Sequence, residues 1–212
     1  MLFYHSGNES GWYSNASISK MASYSVVTME KFNGQKWTAG RPAQFKYDED
    51  MMIENLRRVD AAHPSGESTV LIFYMNAWKA EELEGKSSRM YEQFMSHPEW
   101  QLFHGVGGGT CGSKKPGCAW DVSLPEVRKW WVDWCVNATR AVRPSGRNVG
   151  CYADASNTYP VDPEHEKTPN DAALLWPTLA NTNAATKAKA KAWTEGLLNM
   201  TTEAQVSERF LE

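Results

Sequence analysis

Residues Asn148 to Asn157 read NVGCYADASN, and this stretch determines how the rest of the chain is interpreted. An apolar, strand-like run from Val149 to Ala153 stops at Asp154 and opens into small polar residues. Short apolar runs bounded by polar loop residues are typical of buried strands. We therefore interpret Asp154 as an acid at the exit of a strand.

Four other short apolar runs end on a polar residue in the same way. They are LFYH ending at His5, SVVTME at Glu30, VLIFYMN at Asn76 and QLFH at His104. Continuous apolar runs that alternate with helical patterns predict a parallel sheet buried on both faces. Because ligands bind beyond the carboxyl ends of such strands, we expect these polar residues to gather around one site.

Helical patterns lie between the predicted strands. The clearest follows Asp121, where Ser123 and Glu126 form a predicted capping box and Pro125 a first-turn proline. Its apolar face repeats at helical spacing through Val127, Trp130, Trp131, Trp134, Cys135 and Ala138. Other helices are predicted at 16–22 and in a terminal segment after the loop 156–183. A further predicted helix is capped by Asp48 and buries Met52, Leu56 and Val59. Another covers 81–96 and buries Tyr91, Phe94 and Met95.

Charge and hydropathy exclude two classes of partner. The 22 basic and 25 acidic residues are mixed along the chain and give a net charge of -3, so no basic patch for nucleic acid is expected. No apolar run approaches the roughly 20 residues that cross a bilayer, so we expect no membrane association.

Cysteines and glycosylation sequons leave the compartment open. Cys111 and Cys118 flank a loop and are near enough in sequence to bridge, whereas Cys135 and Cys151 fall on a helix and the next strand. Both free thiols and disulfides are compatible with this pattern. Sequons of the Asn-X-Ser/Thr type occur at Asn8, Asn15, Asn137 and Asn199 and favour secretion. Asn137 argues against this, because it lies within a predicted helix, where a glycan acceptor is less usual. The N-terminus has no visible signal peptide, so either the protein is not secreted or Met1 is not its natural start.

Glu30 and Asp154 are the predicted catalytic pair, and Asp121 is a third candidate. Glycoside hydrolysis needs one carboxyl group to protonate the leaving oxygen and another to act as base or nucleophile. Carboxylates at the ends of parallel strands are placed for that work. A turn cap or a surface ion pair is the alternative for each acid, and for Asp121 a loop role fits equally well.

Polar and aromatic residues near the same strand ends are predicted to bind substrate. Histidine and asparagine side chains donate and accept hydrogen bonds with sugar hydroxyl groups, and aromatic rings stack on sugar rings. The candidates are His5, Tyr74, Asn76, Trp78 and His104. The alternative is that these side chains only pack the core or satisfy structural hydrogen bonds.

No cofactor or metal is predicted. The segment 107–112 satisfies G-x-G-x-x-G, but SKKPG follows it where a phosphate-binding helix would have to begin. The histidines and cysteines do not have the spacing of a zinc site, and the G-x-S-x-G motif of serine hydrolases is not found.

The motifs VVTMEKFNG, VLIFYMNAW, HPEWQLF, AWDVSLPEVRKWWVDWC and VGCYADAS, in this order, resemble a family of glycoside-hydrolase-like TIM barrels known as hypothetical glycosyl hydrolases. The similarity extends over residues 1–157. It implies that Glu30, Asp121 and Asp154 occupy the family's acidic motif positions and that the substrate is a carbohydrate. Members usually carry D-G-x-x-x-D where this chain has Val149 to Asp154, so Val149 replaces an acid that can organise the site.

These observations predict an α/β fold of the (β/α) TIM-barrel type, with 1–212 as a single partial barrel domain of about five strand and helix units. A full barrel has eight strands, so we expect a chain that is incomplete at its C-terminus or that assembles into an oligomer to cover the strand edges. The predicted function is glycoside hydrolysis by carboxylate general acid/base catalysis. The alternative is a catalytically inactive carbohydrate-binding or interaction module derived from a hydrolase barrel.

Overall fold

A computed structural model describes residues 3–6, 12–29, 44–63, 69–76, 88–102, 120–154 and 184–209. Within these ranges the chain forms one mixed α/β unit. Four strands make up its sheet: β1 (Phe3–Ser6), β2 (Val26–Met29), β3 (Val70–Asn76) and β4 (Val149–Asp154). Five α-helices accompany them: α1 (Asn15–Met21), α2 (Asp48–Ala62), α3 (Arg89–Ser96), α4 (Pro125–Val142) and α5 (Ala184–Arg209).

All described strands run parallel, and their order across the sheet is their order in the chain. The sequence-based expectation of a parallel α/β fold is confirmed, as are the predicted positions of β2, β3 and β4. Burial explains why these runs are continuously apolar: every residue of β2 is buried, and Leu71 and Phe73 of β3 have no exposed surface. Strands that are buried on both faces, as β2 is, select such sequences.

The helices form a layer against one face of the sheet. α1 packs on α2 and α2 on α4, while α2 and α4 contact the central strands. On that face the rings of Phe73 and Trp134 lie 5.3 Å apart between centroids. A disulfide joins Cys135 of α4 to Cys151 of β4, which settles for this pair the choice between thiols and a disulfide. Cys111 and Cys118 lie outside the described residues.

The most regular predicted helix is confirmed as α4. Pro125 is its first residue, and Val127, Trp131, Cys135 and Ala138 are buried as their spacing predicts. The expected capping box is wrong: the residue before the helix is Leu124, without a side-chain cap. The hydroxyl group of Ser123 instead donates to the carboxylate of Asp121, before the helix begins.

Helix α5 covers the N-terminal half of α4. The indole nitrogen of Trp193 donates to the main-chain oxygen of Trp120 at 2.9 Å, and both residues are buried. The guanidinium of Arg128 on α4 lies 3.3 Å from the carboxylate of Glu203 on α5. Gly196 of α5 lies so close to the 120–123 segment that an added Cβ would overlap the carbonyl oxygen of Val122.

The strand predicted at 101–104 is wrong in its described part. Gln101 forms an isolated antiparallel bridge with Trp120, and Leu102 lies in a turn outside the parallel sheet. Leu102 is fully buried near the aromatic cluster of Phe94 and Trp120, whose rings meet edge to face at 4.8 Å. Apolar character in this short run therefore reflects burial of a turn.

Two helix details also differ from the sequence-based expectation. Asp48 is the first residue of α2 and Tyr47 precedes it as the cap position, so Asp48 is not the cap. In α3 the buried residues are Met90 and Phe94, while Met95 is 46% exposed. The predicted burial of Met95 is wrong. Residues 90 and 94, four apart, lie on the inner face of the helix, and residue 95, next to 94, is rotated away from that face.

Arg143 ties the elements together at the amino end of the sheet. Its side chain is buried and pairs with Asp60 of α2, with Nη2 2.5 Å from the aspartate Oδ1. Nη1 donates to the main-chain oxygen of Arg147, and Nη2 also donates to that of Thr69. The buried guanidinium thus links the end of α4 to α2 and to the residues just before β3 and β4.

Candidate functional site

The carboxyl ends of the four strands lie along one edge of the sheet, because the strands are parallel and adjacent in order. We call this edge the carboxyl edge. Asn76 and Asp154, the last residues of β3 and β4, are direct partners in the sheet register. The two strands continue three residues past the level at which β1 and β2 end, which is about 10 Å.

The register also places His5. It lies opposite Thr28 of β2, one residue before β1 ends, and Thr28 in turn lies opposite Ile72 of β3. His5 is therefore near the carboxyl edge but below the level of Asn76 and Asp154. For His5 and Asp154 the structure describes the position of the main chain.

Several predicted site residues lie outside the described residues, namely Glu30, Trp78 and His104. Met29, which directly precedes Glu30, ends β2. β3 separates β2 from β4, so the main chains of β2 and β4 are about 10 Å apart at the same edge. The pairing of Glu30 with Asp154 stays a prediction.

Asn76 is held in place by the helix layer. Its main-chain oxygen accepts a hydrogen bond of 3.0 Å from the indole nitrogen of Trp131 on α4. Trp131 is 2% exposed, and the bond as a whole is partly buried. This hydrogen bond ties the last residue of β3, and with it the carboxyl edge, to α4.

Asp121 has a structural environment of its own. Its carboxylate is largely buried, and Oδ1 accepts hydrogen bonds from the amide and the hydroxyl group of Ser123 at 3.3 and 2.5 Å. Its main-chain amide donates to the oxygen of Trp100 at 2.7 Å. This geometry is that of an aspartate turn leading into α4, which fits the loop role weighed for this residue. A catalytic role for Asp121 stays a prediction.

Two tyrosines lie side by side on β3 and β4 just before the carboxyl edge. Tyr74 and Tyr152 are register partners, and their ring centroids are 5.9 Å apart. Tyr152 is 47% exposed, whereas Tyr74 is 3% exposed. The ring that is open to a ligand is therefore that of Tyr152, which the sequence interpretation did not name. The period-two alternation of β4, with Tyr152 two residues before Asp154, is the signal that points to it.

The charged cluster near the start of α2 has a perturbed pKa but joins helices. The hydroxyl group of Tyr47 donates to Glu92 Oε2 at 2.6 Å and lowers the pKa of this carboxyl. Lys46 lies 3.3 Å from the same carboxylate, and the bonds to Tyr47 and Glu92 raise the pKa of its ammonium group. Because these groups are exposed and paired, they link α3 to the chain before α2.

Two further features bear on the kind of site. In the described ranges, no three His, Cys, Asp or Glu side chains lie together in a way that would hold a metal ion. In the same part of the chain, none of the helices combines the length and apolarity needed to cross a bilayer. Among the features described above, the carboxyl edge is the place where predicted site residues meet.

Comparison of the sequence with known protein families and with curated proteins finds no match.

Proposed function

We propose that the protein hydrolyses glycosidic bonds at the carboxyl edge, with Asp154 and Glu30 as the two carboxyl groups that the reaction requires. The observation that carries the proposal is the parallel, sequential sheet, because it places the end of β4 at the same edge as the ends of the other strands. Asp154 is the last residue of β4 and Asn76 its register partner. An acid and an amide thereby end neighbouring strands at one edge of the sheet.

We further propose that the sheet is of the (β/α)-barrel type. Crossovers between adjacent parallel strands are right-handed, so a strand order that never reverses places all crossover helices on one face. A doubly wound sheet would require a reversal of the order. The order β1-β2-β3-β4 and the contacts of α2 with both α1 and α4 fit the barrel arrangement.

In the proposed reaction one carboxyl group protonates the glycosidic oxygen as the bond to the leaving sugar breaks. The other either attacks the anomeric carbon or removes a proton from the attacking water. Asn76 contributes hydrogen bonds to sugar hydroxyl groups, and the exposed ring of Tyr152 offers a surface on which a sugar ring can stack.

Val149, which replaces an acid of the resembling family, lies far from this chemistry. It is the first residue of β4, is buried, and lies opposite Leu71. Asp154 lies five positions further along the strand, which is about 16 Å. The replacement therefore supports packing at the amino end of the strand and leaves the carboxyl edge unchanged.

A carbohydrate-binding module without turnover is the second candidate. One observation favours it. Oδ1 of Asp121, a residue predicted to be catalytic, already accepts two hydrogen bonds from Ser123 and so has a structural role. The exposed ring of Tyr152 would serve a binding module equally well.

A paired experiment separates the two candidates. Isothermal titration calorimetry on a glycan panel measures binding, and a reducing-end assay on the same glycans measures hydrolysis. Turnover of a glycan that binds supports the hydrolase, whereas binding without any turnover by the wild-type protein supports the module. Neither binding nor turnover over a broad panel would contradict both.

A further inference from the structure

Two glycosylation sequons lie on the outer helices. Asn137 of α4 begins Asn-Ala-Thr, and Asn199 of α5 begins Asn-Met-Thr. The side chains of both asparagines are exposed. Their neighbours Ala138 and Met200 are 3% and 0% exposed, so in each helix the asparagine points outward while the next residue packs inward.

The other two sequons carry less information. Asn15 is the first residue of α1, and its side-chain oxygen already accepts a hydrogen bond of 3.0 Å from Arg58. Asn8 lies outside the described residues. The inference is therefore restricted to Asn137 and Asn199.

The disulfide is an independent observation that points to the same compartment. Cys135 lies two residues before Asn137 and is bonded to Cys151. Disulfides form and persist in oxidising environments such as the secretory pathway and are rare in the cytosol. N-linked oligosaccharides are attached to Asn-X-Ser/Thr in secreted proteins. One helix thus carries both signatures of a secretory route.

We propose that Asn137 and Asn199 carry N-linked oligosaccharides. In the transfer, the amide nitrogen Nδ2 bonds to the anomeric carbon of a lipid-pyrophosphate-linked oligosaccharide. The bond from that carbon to the pyrophosphate oxygen breaks, the lipid pyrophosphate leaves with the electron pair, and the amide loses one proton. No oxidant or reductant takes part. The proposal does not depend on the hydrolase activity.

The position of Asn137 keeps the glycan clear of the carboxyl edge. Trp131, which bonds to Asn76 at that edge, lies six residues earlier in α4. Six helical residues correspond to about 9 Å along the axis, toward the amino end of the sheet. A glycan there covers the outer helix layer and leaves a ligand free to reach Asp154.

Folding sets the order of events at Asn137. The sequon residue Thr139 is fully buried, and its hydroxyl group donates to the main-chain oxygen of Val136 at 2.8 Å. A transferase that binds the hydroxyl group of Thr139 must therefore act before α4 packs on the sheet. Attachment during synthesis satisfies this requirement.

The test uses the full-length protein from its own cells. Peptide N-glycosidase in water labelled with heavy oxygen converts a glycosylated asparagine into labelled aspartate, which mass spectrometry of the peptides locates. We expect labelled aspartate at positions 137 and 199. An unconverted asparagine at either position overturns the assignment of that position.

Sequon variants supply a matched control in the same cells. Thr201→Ala destroys the sequon of Asn199 but keeps the asparagine, and it should increase gel mobility by the mass of one glycan. Thr202→Ala removes the neighbouring threonine, whose hydroxyl group donates to the main-chain oxygen of Leu198, without touching the sequon. It should leave the mobility unchanged. Equal mobility of the wild-type protein and both variants overturns the assignment of Asn199.

Discussion

Asn76 and Asp154 are direct register partners at the carboxyl ends of β3 and β4. Their main chains therefore lie about 4.8 Å apart, the spacing of neighbouring strands. Substitution Asn76→Asp would place a second carboxylate beside Asp154. Like charges at this distance raise the pKa of a carboxyl group. We predict that one limb of the pH–rate profile for glycan hydrolysis moves to higher pH by about one unit.

The control for this prediction is Asn148→Asp, which adds the same charge at an exposed position just before β4, at the opposite end of the strand. That variant should leave both limbs in place. If Asn76→Asp also leaves both limbs where the wild type has them, Asp154 is not one of the titrating catalytic groups.

The disulfide between Cys135 and Cys151 should contribute strongly to stability. It closes a loop with a sequence separation of 16 residues. Loop-closure entropy for that length gives about 3 kcal/mol. We predict that a reducing agent lowers the free energy of unfolding in urea by about this amount.

The double variant Cys135→Ala/Cys151→Ala separates this disulfide from any effect at the other cysteines. It should be less stable than the oxidised wild type by about the amount that reduction costs the wild type, and any further loss on reducing the double variant belongs to Cys111 and Cys118. A wild-type urea midpoint that is the same with and without reducing agent would refute the stabilising role.

Gly196 should resist the substitution that usually stabilises a helix. Alanine is favoured over glycine in a helix interior by about 1 kcal/mol. At Gly196, however, the new Cβ would overlap the carbonyl oxygen of Val122. We predict that Gly196→Ala lowers the free energy of unfolding by about 1–3 kcal/mol, as overpacked sites do.

Ala192→Gly at an exposed position of the same helix provides the comparison, with an expected loss of about 1 kcal/mol from propensity alone. The packing of α5 against the 120–123 segment would be refuted if thermal unfolding showed Gly196→Ala to be more stable than the wild type.

Breaking the pair of Arg143 and Asp60 should be costly because the arginine is buried. Arg143→Met removes the guanidinium and leaves the oxygens of Arg147 and Thr69 without this donor. We predict a loss of about 3 kcal/mol in urea unfolding, the lower end for a broken buried pair, since Asp60 is partly exposed.

Arg89→Met is the matched control, since Arg89 pairs with Asp50 at the surface. An exposed pair contributes only about 0–1 kcal/mol. Equal losses in the two variants would show that burial does not set the strength of the Arg143 pair.

The parallel sheet could be predicted from the sequence because strands with mostly buried side chains read as short, continuous apolar runs. The 149–154 and 70–76 segments show this pattern, and α4 shows its helical counterpart. The run at 101–102 has the same local character but packs as a turn beside Phe94 and Trp120. Local hydrophobicity reports burial and does not distinguish a strand from a buried turn.

The candidate site was predictable in part. Residues at strand ends, such as Asn76 and Asp154, follow from the strand pattern and the parallel arrangement. The hydrogen bonds of Asp121 to Ser123 compete with the capping box that the sequence suggests, and only the folded geometry decides between them. The Cys135–Cys151 pairing likewise depends on how α4 packs on β4.

The hydrolysis rate of Asp154→Asn tests the central claim most directly. Purified wild-type protein, Asp154→Asn and the surface control Asp133→Asn, which loses only an exposed ion pair with Lys129, would be assayed on the glycan that the wild type binds most tightly. The proposed mechanism predicts wild-type turnover, a rate at least about a hundredfold lower in Asp154→Asn with similar binding affinity, and a normal rate in Asp133→Asn. A rate in Asp154→Asn equal to that of the wild type would contradict it.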